Sequence, residues 1–274
     1  MSALVRAYRL FNILSLDVVA GAVVSALFFA RVFHVEVRLV GLIALGLTVW
    51  IIYTADHLRD AIKIVGEAST ERHRFHQVHY RTLMFLTIIA LSLNVVAILF
   101  LKPQVLEWGV VLSFVVFAYM VAQGSLKFLK EIFIAILYTC GVLLLSVPVT
   151  SVKLSPVHHM LIIQFGVTAL ANLIMFSWFD REFDQQDKRH SFVTKTGEQV
   201  TRMVIWFLLI LQPIMTLIQW ITDGTLLIPS LIVGCMGVCL LLIFIYRVQL
   251  QRNDYYRVLG DAVFFLPATY LLLQ

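Results

Sequence analysis

Two pairs of aspartates with the same spacing stand out in an otherwise apolar sequence. Asp56 and Asp60 lie in the stretch YTADHLRDAIK, and Asp180 and Asp184 lie in SWFDREFDQQDK. On a helix, a separation of four residues puts two side chains on the same face, one turn apart. Carboxylates held together at low dielectric constant repel one another, and bound cations would neutralise them. Because oxygen ligands favour Mg²⁺, which also binds substrate phosphates, the pattern indicates a magnesium–diphosphate site.

The two pairs occupy matching places in the chain. Asp56 and Asp180 are 180 − 56 = 124 positions apart, close to half of the 274 residues, and each pair is followed by a basic segment. A solvated helix end would explain either pair alone, since charges at span ends are common. Two matched pairs favour a different interpretation, in which two related halves of the protein face each other across a central cavity.

The composition predicts a membrane protein. Hydrophobic residues make up 61% of the chain and charged residues only 14%, whereas soluble domains carry about 25% charged residues. Apolar runs near twenty residues recur along the whole length, which is typical of membrane-spanning helices. We therefore expect an all-α, multi-span bundle that forms a single domain over residues 1–274. Its nine predicted spans are 11–33, 36–62, 80–101, 104–123, 128–150, 157–180, 199–221, 225–246 and 255–273.

The distribution of basic residues predicts the orientation of the bundle. If the N-terminus is cytoplasmic, only Arg31, Arg38, Lys102 and Lys153 face outward, so 21 − 4 = 17 of the Lys and Arg residues lie inside. The positive-inside rule selects this arrangement. We expect a multi-pass protein of the cell membrane with both aspartate pairs on the cytoplasmic side. Its expected partners are the lipid bilayer and small molecules, not nucleic acid.

At the two aspartate motifs the chain resembles the UbiA-type intramembrane prenyltransferases. The segment DREFD, Asp180 to Asp184, carries the closest match, whereas Ile52 stands where that family usually has Asn. The resemblance implies nine spans around a cavity, Mg²⁺ as cofactor, and Asp56, Asp60, Asp180 and Asp184 as catalytic, metal-binding residues. It also implies ionisation of an allylic prenyl diphosphate and transfer of the prenyl group to a lipophilic or aromatic acceptor.

Further site residues follow from the resemblance and from the charges near the motifs. Diphosphate ligands are predicted at Arg59, Lys63, Arg72, Arg74, Tyr119, Lys127, Lys130, Arg181 and Lys188. Basic residues of this kind can instead anchor loops to lipid headgroups. The residues expected to reach the cavity are Asp17, Tyr53, Asn172 and Phe176. Asp17, inside the first predicted span, is expected to lie deeper than Asp261.

Two other functions stay open at this point. A terpene cyclase on the same scaffold would capture the cation within its own chain and need no acceptor, and the Ile52 departure raises this alternative. A transporter is less favoured because transporters place their sites near the membrane midplane on broken helices. His73, His76 and His79 recur at every third position in an expected loop, but no further ligand completes a zinc site.

Overall fold

The computed structural model describes residues 3–126, 129–251 and 254–273, and within these ranges the chain is helical and contains no strand. Fifteen α-helices follow one another, joined in places by short 3₁₀ turns. They are α1 Ala3–Ile13, α2 Leu16–Val32, α3 Leu39–Lys63, α4 Glu71–Val78, α5 Tyr80–Ile98, α6 Pro103–Leu126, α7 Lys130–Leu143, α8 Pro156–Phe179, α9 Arg181–Gln186, α10 Phe192–Thr196, α11 Glu198–Thr222, α12 Leu227–Ile245, α13 Arg247–Leu250, α14 Tyr255–Ala262 and α15 Ala268–Leu272.

Seven helical segments of the described chain are long and apolar enough to cross a membrane. They contain α3, α5, α6, α7, α8, α11 and α12. The expected all-α membrane bundle is thereby confirmed, while the count of nine spans stays a prediction. The first predicted span contains α2, which has only 17 residues, and the last is divided among α14, a 3₁₀ turn and α15.

The first predicted span, 11–33, is interrupted near its start. Ser15 has a left-handed backbone with φ 57°, a conformation that a continuing α-helix cannot contain. Asn12 therefore belongs to α1, and Asp17 lies in the first turn of α2. The break puts Asp17 at a helix start and not inside a continuous span, and the expectation that it lies deeper than Asp261 stays a prediction.

The helix α8 forms the middle of the bundle. Of the residues in its most apolar stretch, 61% are buried, compared with 11% in the corresponding stretches of α5 and of α6. A capping box between Ser155 and His158, with Pro156 in the first turn, starts α8. The exposed apolar side chains of α5 and α6 suit contact with lipid, whereas α8 can carry polar side chains into the interior.

The packing order repeats around the two motif helices. In the first half α3 packs against α2 and α5, and in the second half α8 packs against α7 and α11. Each motif helix thus contacts the apolar helix before it and the one after it. This repetition agrees with two related halves. The end of the bundle that carries the four aspartates is called the motif end below.

A short helix covers part of the motif end. Residues expected to form a loop are helical in α4, whose start is capped by the Thr70 hydroxyl accepting from the backbone N–H of His73. The helix packs against α3 and α1, and Arg9 of α1 forms an ion pair of 3.3 Å with Glu71. The segment after α3 is therefore an ordered cap and not a free loop.

Candidate active site at the motif end

A cavity of about 480 Å³ opens at the motif end of the bundle. Its mouth is polar and is lined by residues of α4, α9 and the segment 189–191. Its far end is apolar and is formed by side chains of α7, α8 and the 3₁₀ turn between α14 and α15, among them Ile134, Ala169, Leu173 and Phe264. Since Ala169 precedes Asp180 by eleven helical residues, the cavity reaches roughly 16 Å below the second motif.

The first aspartate pair lies on the last two turns of α3. One ammonium group, that of Lys130 at the start of α7, lies 3.7 Å from a carboxylate oxygen of Asp56 and 3.7 Å from one of Asp60. Asp56 lines the cavity. Its second oxygen, Oδ1, is buried and has no hydrogen-bond partner among the described residues.

The second pair lies at a helix junction. Asp180 ends α8 and Asp184 lies in α9, but the backbone N–H of Asp184 still donates to the carbonyl of Asp180 at 2.9 Å, so their turn spacing is kept. The Asp180 carboxylate accepts hydrogen bonds from the Tyr256 hydroxyl and the Arg257 guanidinium, both in α14. Helix α14 thus supplies Arg257 as the counter-ion of Asp180 in the second motif.

Arg189 connects the two motifs. Its guanidinium lies 2.5 Å from Asp60 and 3.5 Å from Asp184. Burial alone would lower the pKa of Arg189, but the two carboxylates outweigh it and raise that pKa above its ordinary value. Burial raises the pKa of Asp184, and the positive charge of Arg189 opposes that rise.

A polar network supports the cavity wall below Arg72. The Arg72 guanidinium donates to the backbone carbonyl of Asn12 at 3.0 Å and to its side-chain oxygen at 2.9 Å. The Asn12 amide donates to Asp17 and, at 3.3 Å, to Asp261. Burial, followed by the charge of Arg257, lowers the pKa of Arg72. Two guanidinium groups facing one cavity make its mouth suitable for an anion.

The histidines near α4 lie close together. The His57 ring centroid lies 6.0 Å from that of His73 and 5.1 Å from that of His76. In the part of the chain that the structure describes, no three His, Cys, Asp or Glu side chains are grouped to hold a metal ion. Burial, with help from Arg189, lowers the pKa of His73 from 6.5 to about 2, so this ring is neutral.

The predicted site residues divide between two cavities. The first is lined by Asp56, Arg72, Arg74, Tyr119, Lys130, Asp180 and Asp184, and also by Tyr53, Asn172 and Phe176. A neighbouring cavity is lined by Asp60, Arg59, Lys63 and Lys188, and Lys130 borders both.

Two predicted residues line neither cavity, and a third is not among the described residues. Asp17 is fully buried and reaches the cavity only through Asn12. Arg181 lies over the Trp178 ring and near Glu182 and Glu198, and it lines neither cavity. Lys127 lies outside the described residues.

Sequence reasoning missed three residues that contact the motifs: Arg189, Tyr256 and Arg257. The charge pattern placed the two arginines on the cytoplasmic side without assigning them a partner. A signal existed for Arg257, because it stands at the start of an apolar run with Asp261 one turn later. An ionic group at such a position is expected to pair inside the bundle.

The donor set at the cavity fits a hard divalent cation. Asp56 Oδ1 and Asn172 Oδ1 are buried oxygens without a partner among the described residues, and the Asp180 and Asp184 carboxylates lie on the same cavity. No preformed cage of three acidic ligands is needed, because Mg²⁺ commonly uses one or two carboxylates together with substrate phosphates and water.

Comparison with known proteins gives one structural match that bears on the fold. No protein-family model matches the chain, and no curated protein sequence matches it. A solved structure of a UbiA homolog from Archaeoglobus fulgidus, bound to DMAPP and Mg²⁺, superimposes with a TM-score of 0.65 at 10% sequence identity. The match covers 96% of this chain and 99% of that one. The predicted resemblance is thus confirmed at the level of architecture, and the chain has the UbiA fold.

Proposed function

We propose that the protein is an Mg²⁺-dependent intramembrane enzyme that ionises an allylic prenyl diphosphate and transfers the prenyl group to an acceptor. The observation that carries the proposal is the meeting of both aspartate pairs with three partly buried basic side chains, Lys130, Arg189 and Arg257. All of these groups except Asp60, which lines the neighbouring cavity, lie at the mouth of a cavity whose far end is apolar. The matching fold belongs to a protein that was solved with DMAPP and Mg²⁺, which supports the same ligand class here.

The mouth of the cavity would hold the diphosphate. Asp56, Asp60, Asp180 and Asp184 would hold Mg²⁺, which when bound would neutralise the negative charge that develops on the leaving diphosphate. Arg72 and Arg257 present guanidinium groups there, and Lys130 contributes an ammonium group. The basic groups now paired with the aspartates would then contact phosphate oxygens, which are acceptors of the same charge.

The far end of the cavity would hold the prenyl tail. Ile134, Leu173 and Phe264 supply an apolar wall, and Tyr138 contacts Phe264 edge to face with ring centroids 5.5 Å apart. Burying the tail there would place its C1 carbon next to the polar mouth. An apolar wall also keeps water from the reacting carbon, which limits simple hydrolysis.

The chain's own residues would serve three purposes in the reaction. The C1–O bond breaks and its electron pair leaves with the diphosphate, so the basic side chains stabilise the departing anion. The faces of Phe176 and Tyr53, which line the cavity, shelter the allylic cation. Capture of the cation by a hydroxyl or an aromatic carbon of the acceptor molecule then releases a proton. A carboxylate of the cavity would take up this proton.

The test is product analysis by mass spectrometry with the purified full chain in nanodiscs. Prenyl diphosphates of several lengths are supplied with Mg²⁺, each with and without a lipid extract as the source of acceptor. We expect diphosphate release to require Mg²⁺ and to fall at least a hundredfold in Asp56→Asn and Asp180→Asn, the scale of losing one preorganised electrostatic contact. Asp223→Asn, an exposed aspartate outside the cavity lining, is the control. Full activity in Asp180→Asn would refute the proposal.

A terpene cyclase is the alternative, and one feature of the cavity favours it. Ile52 lines the cavity at the position where the resembling family usually has Asn, which makes this part of the wall less suited to a polar acceptor. The reactions without lipid extract decide between the two. A cyclic hydrocarbon or alcohol formed in them would establish the cyclase, whereas turnover only after addition of acceptor supports the transferase.

A further inference from the structure

A second cavity of about 520 Å³ lies beside the first at the motif end. It is bordered by the end of α3, the end of α6 and the segment 186–190. Lys130, Arg189 and His190 line both cavities, so the two cavities share a wall.

The lining of the second cavity is strongly basic. Five Lys and Arg side chains line it together with two aspartates. Two of the five, Lys130 and Arg189, also pair with Asp56 and Asp184 of the first cavity, which leaves Arg59, Lys63 and Lys188. The two aspartates are already engaged, Asp60 with Arg189 at 2.5 Å and Asp187 with the Ser69 hydroxyl at 2.6 Å. Within the described ranges, neither Lys63 nor Lys188 has a carboxylate partner. The unbalanced positive charge favours an anionic ligand.

A buried donor points to the same conclusion independently. Gln123 lines this cavity and is only 6% exposed, yet its amide nitrogen Nε2 has no acceptor among the residues that the structure describes. A buried amide donor without a partner destabilises the folded protein. A ligand that carries several acceptor oxygens would satisfy it. Lys188 also has a left-handed backbone conformation at φ 52°, which is uncommon for residues other than glycine.

We propose that the second cavity is a binding site for a phosphate-class anion, and that its occupant is the inorganic diphosphate released from the first cavity. The proposal of the occupant rests on the proposed function. After the C1–O bond has broken, diphosphate carries both electrons of that bond and needs no further covalent change. Lys130 and Arg189 border both cavities, so the anion can keep contact with basic groups as it moves outward. The phosphate of an anionic lipid headgroup has the same chemistry and is the second possible source.

The test counts diphosphate ions bound by the full chain in neutral phosphatidylcholine nanodiscs with Mg²⁺, using isothermal titration calorimetry. We expect two sites in the unmodified protein. Lys188→Ala and Gln123→Leu should each weaken one of them about tenfold, while Asp180→Asn should weaken the other. Lys153→Ala, which removes an exposed lysine outside both cavities, is the matched control. A single site in the unmodified protein, or two unchanged sites in both Lys188→Ala and Gln123→Leu, would overturn the proposal.

A second arm identifies the source of the anion and separates this proposal from the proposed function. In nanodiscs containing phosphatidylglycerol, persistence of two sites supports free diphosphate as the occupant. Loss of the Lys188-dependent site there would show that the headgroup occupies it and would overturn diphosphate as the occupant. If no prenyl diphosphate is turned over while two diphosphate sites are still counted, the proposed function fails and the anion site stands.

Discussion

The guanidinium of Arg189 lies 2.5 Å from a carboxylate oxygen of Asp60, although the two residues are 129 positions apart in the chain. The same guanidinium reaches Asp184 at 3.5 Å. One cation therefore joins the first motif to the second, and it does so where Asp60 is only 12% exposed. The mutual orientation of the two halves depends on this contact as well as on apolar packing.

Replacing Arg189 should destabilise the protein even without substrate. Arg189→Ala leaves Asp60 and Asp184 without their shared cation, and we expect a loss of about 2 kcal/mol in the free energy of unfolding. Arg189→Lys should recover only part of that loss. It keeps the positive charge, but an ammonium group lacks the planar fork that bridges two carboxylates. Chemical unfolding in one detergent measures the series. Arg38→Ala, at the opposite end, is the control, and equal stability of Arg189→Ala and Arg38→Ala would contradict the expectation.

The close approach of α14 to α8 predicts a severe effect of one added methyl group. A Cβ atom at Gly260 would lie 2.6 Å from Asn172 Oδ1 and 2.6 Å from the Phe176 ring. Gly260→Ala should therefore cost about 1–3 kcal/mol of stability and displace two side chains that line the cavity. Thermal unfolding and the release of diphosphate measure the two effects.

The control for that substitution is Gly141→Ala. Nothing lies within 4 Å of a Cβ atom placed on Gly141, which is inside α7. Because alanine is favoured over glycine within a helix by up to about 1 kcal/mol, this variant should be neutral or stabilised. Equal behaviour of the two variants would show that α14 does not pack on α8 as described.

The neutral ring of His73 predicts a loss of stability in acid. The pKa of His73 is about 2 in the folded protein, whereas the ordinary value for histidine is 6.5. Below pH 6.5 the unfolded chain therefore binds a proton at His73 that the folded chain does not bind. The neutral ring therefore causes no loss in the free energy of unfolding above pH 6.5, and this free energy falls as the pH goes below that value. At about pH 5.5 the loss should be about 1.4 kcal/mol. Unfolding of the unmodified chain and His73→Gln between about pH 5 and 8 measures it, and the variant should show a flatter profile. Parallel profiles would rule out this residue.

The aromatic end of the cavity predicts the length of the prenyl chain that is accepted. Phe264 lines the cavity and contacts both Tyr138 and Phe165, so it limits the space beyond them. Phe264→Leu should raise kcat/KM for a longer prenyl diphosphate relative to a shorter one by about three- to tenfold, since one buried methylene is worth about 0.8 kcal/mol. Competition between two chain lengths, read by mass spectrometry, measures the ratio. Phe207→Leu, on an exposed face of α11, should leave the ratio unchanged.

The class of fold and the spacing of the two aspartate pairs could be predicted from the sequence because both depend on local patterns. Apolar runs define the spanning helices, and the four-residue spacing of Asp56 and Asp60 follows from helix geometry alone. The second pair kept its spacing even though α8 ends between Phe179 and Arg181. Charge counting, in contrast, does not say which basic side chain meets which acid.

The rest depends on tertiary packing and could not be read from the residues. Arg59, Lys63 and Lys188 lie within or soon after the motifs and are therefore predicted as diphosphate ligands together with Arg72, but a helix turns by about 100° per residue. Their side chains consequently line the neighbouring cavity. The break at Ser15 likewise could not be predicted from a helix-breaking residue, since neither Gly nor Pro lies between Leu10 and Ala20.

The contact of Arg257 with Asp180 has a consequence for biosynthesis. During translation Asp180 leaves the ribosome 77 residues before Arg257 does. A nascent chain that has already inserted α8 therefore holds an acidic group whose partner has not yet been made. The ion pair of Asp180 therefore forms only after the final helical segment has been made, and the cavity has its complete lining only from that point on.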